Sequence, residues 1–341
     1  MRRPTIMDIA RRAGVSKGSV SYALNGLPGV SDSTRSRILS IAEEMGWHPN
    51  SAARVLSGAR SQAVGLVVAR PAPTLGVEAF VMQLISGIET ELSRSSVALM
   101  LQVVADAETE LSTYRRWWGE RRVDGVLVID LRLDDPRVGL LEELGMPAVV
   151  VGGPGHHGHL SAVWTDDAAA VTVALEYLAA LGHRRIARVA GRAEFLHTTT
   201  RGGAFTSAIA RMGLVDGGTI ATDYTAEQGA RATRSLLTTA PAPTAIVFDN
   251  DVMAVAGTAV AHEMGLLVPR DLSIVAGDDS PLCQHVHPPI TAVFRDVNAL
   301  GERAAAALLA LLDEQVTGEA QAPPPWLVPR GSTAPPHERV A

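Results

Sequence analysis

One cysteine, Cys283, in 341 residues leaves no intramolecular disulfide to form and fits a reducing compartment. No apolar run approaches the length of a membrane-spanning helix, and Met1-Arg2-Arg3-Pro4 leads straight into a polar segment instead of an apolar leader, so a cytoplasmic protein is expected, with no membrane partner. The sequence has no glycine-rich phosphate loop opening a helix after a strand and no nucleophile elbow, which argues against an enzyme and against a cofactor. Metal ligands are also lacking in usable sets. His156, His157 and His159 lie in a glycine-rich loop without Cys, Asp or Glu beside them, and Cys283, His285 and His287 run into Pro288-Pro289, so no metal site is expected. No heptad-patterned extension follows the main body, which gives no ground for a coiled-coil tetramer.

What is present is unevenly charged. Residues 1–60 hold nine Lys/Arg against four Asp/Glu, a net of +5, whereas the other 281 hold 21 against 32, a net of −11. A basic head suits phosphate contact, and an acidic body resists unspecific adsorption to DNA. Helix punctuation organises the head. Thr5 caps a first helix with Asp8 at its third position, and Ile6, Ile9, Ala10 and Ala13 share one face. Gly14 ends it, and Ser16 caps a second helix with Val20, Ala23 and Leu24 inward, the spacing of a helix-turn-helix. Ser31 caps a third, whose inward stripe is Ile38, Leu39, Ile41, Ala42 and Met45. Lys17, Gly18, Ser21 and Tyr22 are left outside this core, either as a solvated polar face or as a face presented to base edges in a major groove.

The length exceeds one ordinary domain, and a 47% hydrophobic fraction supplies core for a body of two lobes. β-branched runs (AVGLVVA, VALMLQVV, VDGVLVID, PAVVVGG, then RIARVAG, TAIVFDN, SIVAGDD) alternate with helical stretches, the pattern of parallel sheets covered on both faces. The fold class is therefore a small all-α head on an α/β body of two doubly wound lobes. Such folds bind ligands in the crevice at their strand ends.

Head, following segment and body motifs together resemble the lac-repressor (LacI/GalR) family of bacterial transcription regulators. The resemblance implies a helix-turn-helix headpiece at 1–49 and a hinge at 50–60, where Asn50 caps a short helix that orders when two copies pair over DNA. Leu56 would then wedge into a central minor-groove step, the alternative being that it packs on its own domain. It also implies a periplasmic-binding-protein type of body, with a first lobe at 61–161 and 293–323, a second at 162–292 and 324–334, and a tail at 335–341. The LVPRGS segment then belongs to the closing strand and is no remnant of an engineered protease site. DNA contact falls on Thr5, Ser16, Lys17, Gly18, Ser21, Tyr22, Asn25, Asn50, Ala53, Arg54 and Leu56.

For the effector pocket, HTTTRGGAF carries over Arg201 with His197. FDNDVMAVAG carries over Asn250, with Asp251 mainly a cap, AGDDS carries over Asp278, and TDYTAEQG places Tyr224 where relatives set an aromatic against a sugar face. From the first lobe Phe80 with its neighbour Glu78, and Asp130 with Arg132, reach toward the same site. Singly, each has an ordinary use as a surface ion pair, a cap or core packing.

Two departures matter. Most relatives carry arginine at the position of Tyr22, and tyrosine cannot make the bidentate contact to guanine, so the preferred half-site should differ. Relatives also carry two aromatics where this chain has Ala79, Phe80 and Val81. The function expected is a repressor that binds a near-palindromic operator as a homodimer and responds to a small effector, a carbohydrate first and a purine-like corepressor as the alternative. A transporter's solute-binding protein would share the body and lack the head.

Overall fold

The computed structural model describes residues 4–47, 60–70 and 78–337. The chain divides into two compact units, Met1–Ser61 and Gln62–Ala341.

In the first unit, α1 (Ile6–Ala13), α2 (Lys17–Leu24) and α3 (Asp32–Glu44) close one small core around Ile9, Ala10, Ala13, Val20, Ala23, Ile38 and Ala42. Thr5 and Asp8 form the reciprocal capping box, with the Thr5 N–H 2.9 Å from Asp8 Oδ2. Gly14 turns the chain at φ 67°, a left-handed conformation that a β-carbon would penalise. Ser16 and Ser31 accept from Ser19 N and Thr34 N. Leu39 does not join the inward stripe. It is 45% exposed, because α3 turns only Ile38 and Ala42 fully onto its two neighbours.

In the second unit, β1 (Ala63–Ala69), β2 (Ala98–Val104), β3 (Gly125–Val128), β4 (Ala148–Gly152), β5 (Ser161–Trp164) and β11 (Glu319–Gln321) form a parallel sheet in the order β11-β5-β4-β3-β1-β2. α4 (Ala79–Arg94), α5 (Ala107–Gly119) and α6 (Pro136–Leu144) connect its strands, and α12 (Val297–Leu312) returns to it. The α4–α12 crossing is close enough that a Cβ at Gly87 would overlap the Asn298 carbonyl and one at Gly301 the Leu84 carbonyl.

The second lobe holds β6 (Arg185–Ala190), β7 (Val215–Ala221), β8 (Ala245–Phe248), β9 (Ser273–Ala276), β10 (Thr291–Phe294) and β12 (Trp326–Val328), ordered β12-β10-β9-β8-β6-β7. Its helices are α7 (Asp167–Ala180), α8 (Leu196–Arg211), α9 (Ala226–Leu237), α10 (Asp251–Glu263) and the short α11 (Pro281–His285). Only β12 runs antiparallel, against β10. The central strands β3 and β8 are buried throughout because helices cover both faces, which is why they read as unbroken apolar runs.

Sheet membership moves two boundaries drawn from the sequence. β5 stays in the first sheet through Trp164 and β10 stays in the second through Phe294, so the chain changes lobe after these residues and not at 161/162 and 292/293. The third change falls between Gln321 and Trp326, the stretch that contains Pro324. The LVPRGST segment is tied into the second lobe: Ser332 Oγ accepts from Thr291 N at 2.8 Å and donates to the Ile274 carbonyl at 2.6 Å.

Candidate functional site

On the head, α2 leaves Lys17, Gly18 and Tyr22 exposed and Ser21 half-buried, and its C-cap Asn25 is exposed as well. Tyr22 is 47% exposed, with one ring edge beside Gly29. The Asn25 amide folds back to donate to the Ser21 carbonyl at 2.9 Å. Thr5 and Ser16 serve as caps and are exposed at the starts of α1 and α2. Asn50, Ala53, Arg54 and Leu56 lie outside the described residues. Arg35, which the sequence reading passed over, donates from α3 to the Ala23 and Leu27 carbonyls at 3.2 and 2.6 Å. It fixes the end of the exposed helix to the core.

In the body, the C-terminal strand ends of both lobes face one cavity of about 70 Å³. The chain places polar groups there because strand after strand ends and an Asx residue starts the next helix: Asp135 accepts from Arg137 N, Asp166 from Ala169 N and Asn250 from Met253 N. Phe80, Asp130, His197, Arg201, Tyr224, Asn250 and Asp278 all line it, as do Glu78 and Asp251.

Arg132 is the exception. Its guanidinium lies 3.4 Å from Glu110 Oε2, in a cluster with Arg137 and Asp135 inside the first lobe, and it is not part of the lining. Burial of Glu110 draws the Arg132 guanidinium inward to it, while Asp135 takes the Arg137 guanidinium and the Arg132 backbone N–H. Nor does Asp130 pair with Arg132. It takes two hydrogen bonds from Arg70, at 2.9 and 2.7 Å.

The first-lobe wall is thus one arginine between two carboxylates, since Arg70 also bonds Glu78. Arg70 holds Asp130 below the usual carboxylate range against its burial, while burial pushes Glu78 up to about 7 despite Arg70, helped by repulsion from Asp130. One guanidinium cannot neutralise both.

The second-lobe wall is a chain of pairs. Asp167 accepts from Arg201 at 2.7 Å and from Arg295 at 2.9 Å, Arg295 continues to Asp278, and Arg201 also donates to the Asp249 carbonyl at 3.0 Å. Behind it Arg188 forks onto Asp249 at 2.8 and 2.7 Å. Arg201 and Arg295 hold Asp167 low even though it is buried. Arg70, Asp167 and Arg295 were missed in the sequence, although each stands within three residues of a strand's C-terminal end, where the crevice rule points.

Tyr224 and Asp130, one from each lobe, hold positive φ of 72° and 53°, a conformation costly for non-glycine residues and characteristic of functional sites. The Tyr224 hydroxyl meets His197 Nε2 at 2.7 Å and Thr198 Oγ1 at 3.1 Å, and its ring occupies the space that a Cβ at Gly191 would need. Burial, then the nearby Arg201 charge, lowers the His197 pKa, so the imidazole is neutral. Arg70 reaches across to the second lobe, 5.5 Å from the ring centres of Phe195 and Tyr224. Beside it the Leu196 N–H donates to the Leu131 carbonyl at 2.7 Å, with Leu196 packed into the first lobe's core.

A three-helix head with an exposed second helix, and two lobes closing on a polar cavity, define a ligand-responsive DNA-binding protein. Residues 5–50 match the bacterial regulatory proteins of the lacI family, and residues 175–333 match the periplasmic binding protein-like domain. The HTH-type transcriptional regulator CelR of Thermobifida fusca is 32% identical over 326 residues, 94% of each chain. Among solved structures, the lac repressor dimer bound to operator and an anti-inducer superposes with a TM-score of 0.86 at 25% identity, over 98% of this chain and all of that one. A CelR–cellobiose complex gives 0.74 at 29% identity, over 97% of this chain and all of that one. The chain belongs to the lacI family of transcriptional regulators. No helix among the described residues is long and apolar enough to cross a membrane.

Proposed function

We propose that this protein is a cytoplasmic repressor, not an enzyme, that binds a near-palindromic operator as a homodimer and is controlled by a neutral carbohydrate held between its lobes. The observation that carries the effector class is the charge of the cavity lining. Arg70, Arg201 and Arg295 face Glu78, Asp130, Asp167, Asp251 and Asp278, and both Glu78 and Asp251 hold their protons to higher pH than usual, mainly through burial. Arginine charge is consumed within the lining and leaves no excess for a phosphate or carboxylate ligand. Asp251 Oδ2 and Arg295 Nε are buried without a hydrogen-bonding partner, an acceptor and a donor that a polyol can satisfy together. The likeness to a regulator solved with cellobiose supports the same class.

Both lobes contribute to the lining, so a ligand there favours one lobe geometry over another and shifts operator affinity by about 1–3 kcal/mol, the usual range of allosteric coupling. Thermal-shift screening of the full chain against neutral sugars and nucleosides, followed by operator gel shifts with the hits, tests this. A sugar that raises the melting temperature and moves the gel shift in either direction is the expected result. Stabilisation by nucleosides alone would overturn it.

On the head, Lys17 and Tyr22 read bases and Tyr22 sets a half-site unlike that of arginine-bearing relatives. Selection from random DNA should return a different half-site for Tyr22→Ala than for the parent. An identical half-site would remove Tyr22 from the readout.

A further inference from the structure

Gly18 and Tyr22 stand one turn apart on the same face of α2. A helical side chain leans over the turn that precedes it, so Tyr22 leans toward Gly18, which has no side chain to cover it. Even a Cβ added at Gly18 would meet only Ser16 Oγ among the described residues, at 3.6 Å. The opposite side of the ring is held. Tyr22 Cδ2 and Cε2 lie 3.3 and 3.5 Å from where a Cβ on Gly29 would sit, and Gly29 has φ 110°, a conformation that side chains rarely adopt. The segment carrying Gly29 is itself fastened to the helix. The Leu27 N–H donates to the Tyr22 carbonyl at 2.9 Å, Arg35 donates to the Leu27 carbonyl at 2.6 Å, and Val30 packs against the head's core.

We propose that Tyr22 reads one thymine in each half-site through its ring, which packs on the thymine C5-methyl group in the major groove, and that Gly29 is the positioning residue that holds the ring for this contact. The proposal rests on the reading of Tyr22 as a base-contacting residue and adds which base it prefers and through which group. A single hydroxyl both donates and accepts, so it can bond to the major-groove edge of any base pair and by itself discriminates poorly. The thymine methyl is the apolar feature of those edges, and a half-exposed aromatic ring is the group on α2 that can select it. Because Gly29 already confines one edge of the ring, little side-chain freedom is lost when the methyl docks.

The test begins with an operator selected by the full chain from random DNA. Each thymine of the half-site is then replaced in turn by deoxyuridine, in both half-sites at once, which removes the methyl and keeps every hydrogen-bonding group. Gel-shift titration should find one position at which the parent binds the uracil duplex about 15-fold more weakly, the effect expected of two buried methyl groups. That ratio should persist in Tyr22→Phe, fall to unity in Tyr22→Ala and shrink in Gly29→Ala, whose Cβ crowds the ring. A head merely weakened by substitution binds both duplexes less well and leaves the ratio unchanged. No such position in the parent, a ratio that survives Tyr22→Ala, or one lost in Tyr22→Phe would overturn the thymine inference, even where Tyr22→Ala selects a new half-site and so keeps Tyr22 in the readout. An unchanged ratio in Gly29→Ala would overturn the positioning role of Gly29. If Tyr22→Ala selects the parent's half-site, the base-reading role of Tyr22 falls and this inference falls with it.

Discussion

The two walls of the cavity solve the same problem, charges buried among strand ends, in opposite ways. In the second lobe two arginines knit the carboxylates together, Arg201 and Arg295 on Asp167 and Arg295 on Asp278, and among the described lining carboxylates only Asp251 lacks an arginine. In the first, Arg70 alone serves Asp130 and Glu78, and Glu78 is left holding its proton up to about 7. A buried ion pair contributes little net stability, but removing one partner exposes the other to the full desolvation penalty. The second-lobe wall is therefore a fixed scaffold, whereas the first-lobe wall changes charge near neutral pH.

Breaking the scaffold should have the largest effect. Asp167→Ala leaves Arg201 without a carboxylate and Arg295 with Asp278 alone, and urea unfolding should show a loss of about 3–5 kcal/mol. A loss below about 1 kcal/mol would mean that the wall rearranges freely and the contrast between the lobes is false.

The first-lobe wall is tested by pH. The Glu78 pKa is raised on folding, so the native state keeps a proton that the unfolded chain has already lost between about pH 4.5 and 7, and stability falls as pH rises through that window. The unfolding free energy of the parent relative to Glu78→Gln should decline by about 3 kcal/mol from acid to neutral pH, at 1.36 kcal/mol per unit. Parallel curves for the two proteins would show that Glu78 ionises normally.

A smaller change should mark the seam between the walls. Tyr224→Phe removes the hydroxyl shared by His197 and Thr198, and should cost about 1–2 kcal/mol in thermal unfolding. It should also weaken binding of whichever sugar the parent accepts. If affinity is unchanged, Tyr224 lines the cavity as packing only.

Legibility from sequence followed the range of the interactions. The head's caps and turn, Thr5 with Asp8, Gly14, Ser16 and Ser31, are formed by residues four or fewer apart, and each is formed as the spacing implies. Leu39 misled, since helical periodicity marks a broad face while the small partner helices cover only part of it. In the body, His197, Arg201, Tyr224, Asn250 and Asp278 were visible through motifs, but the charged partners of Arg201 and Asp278, namely Asp167 and Arg295, were not. Asp130 and Arg132 are two residues apart and look like a pair, yet tertiary packing gives Arg70 to the first and Glu110 to the second.

The sequence by itself determined the three-helix head, the alternation that makes two parallel sheets, and the rule that polar groups gather at strand ends, because these depend on local capping and on the period of apolar residues. Tertiary structure decided which charges meet. Arg70 finds Asp130 across 60 residues and Arg295 finds Asp167 across 128. Their spacing in the chain carries no trace of those partnerships, since burial selects the nearest opposite charge in space and not in sequence.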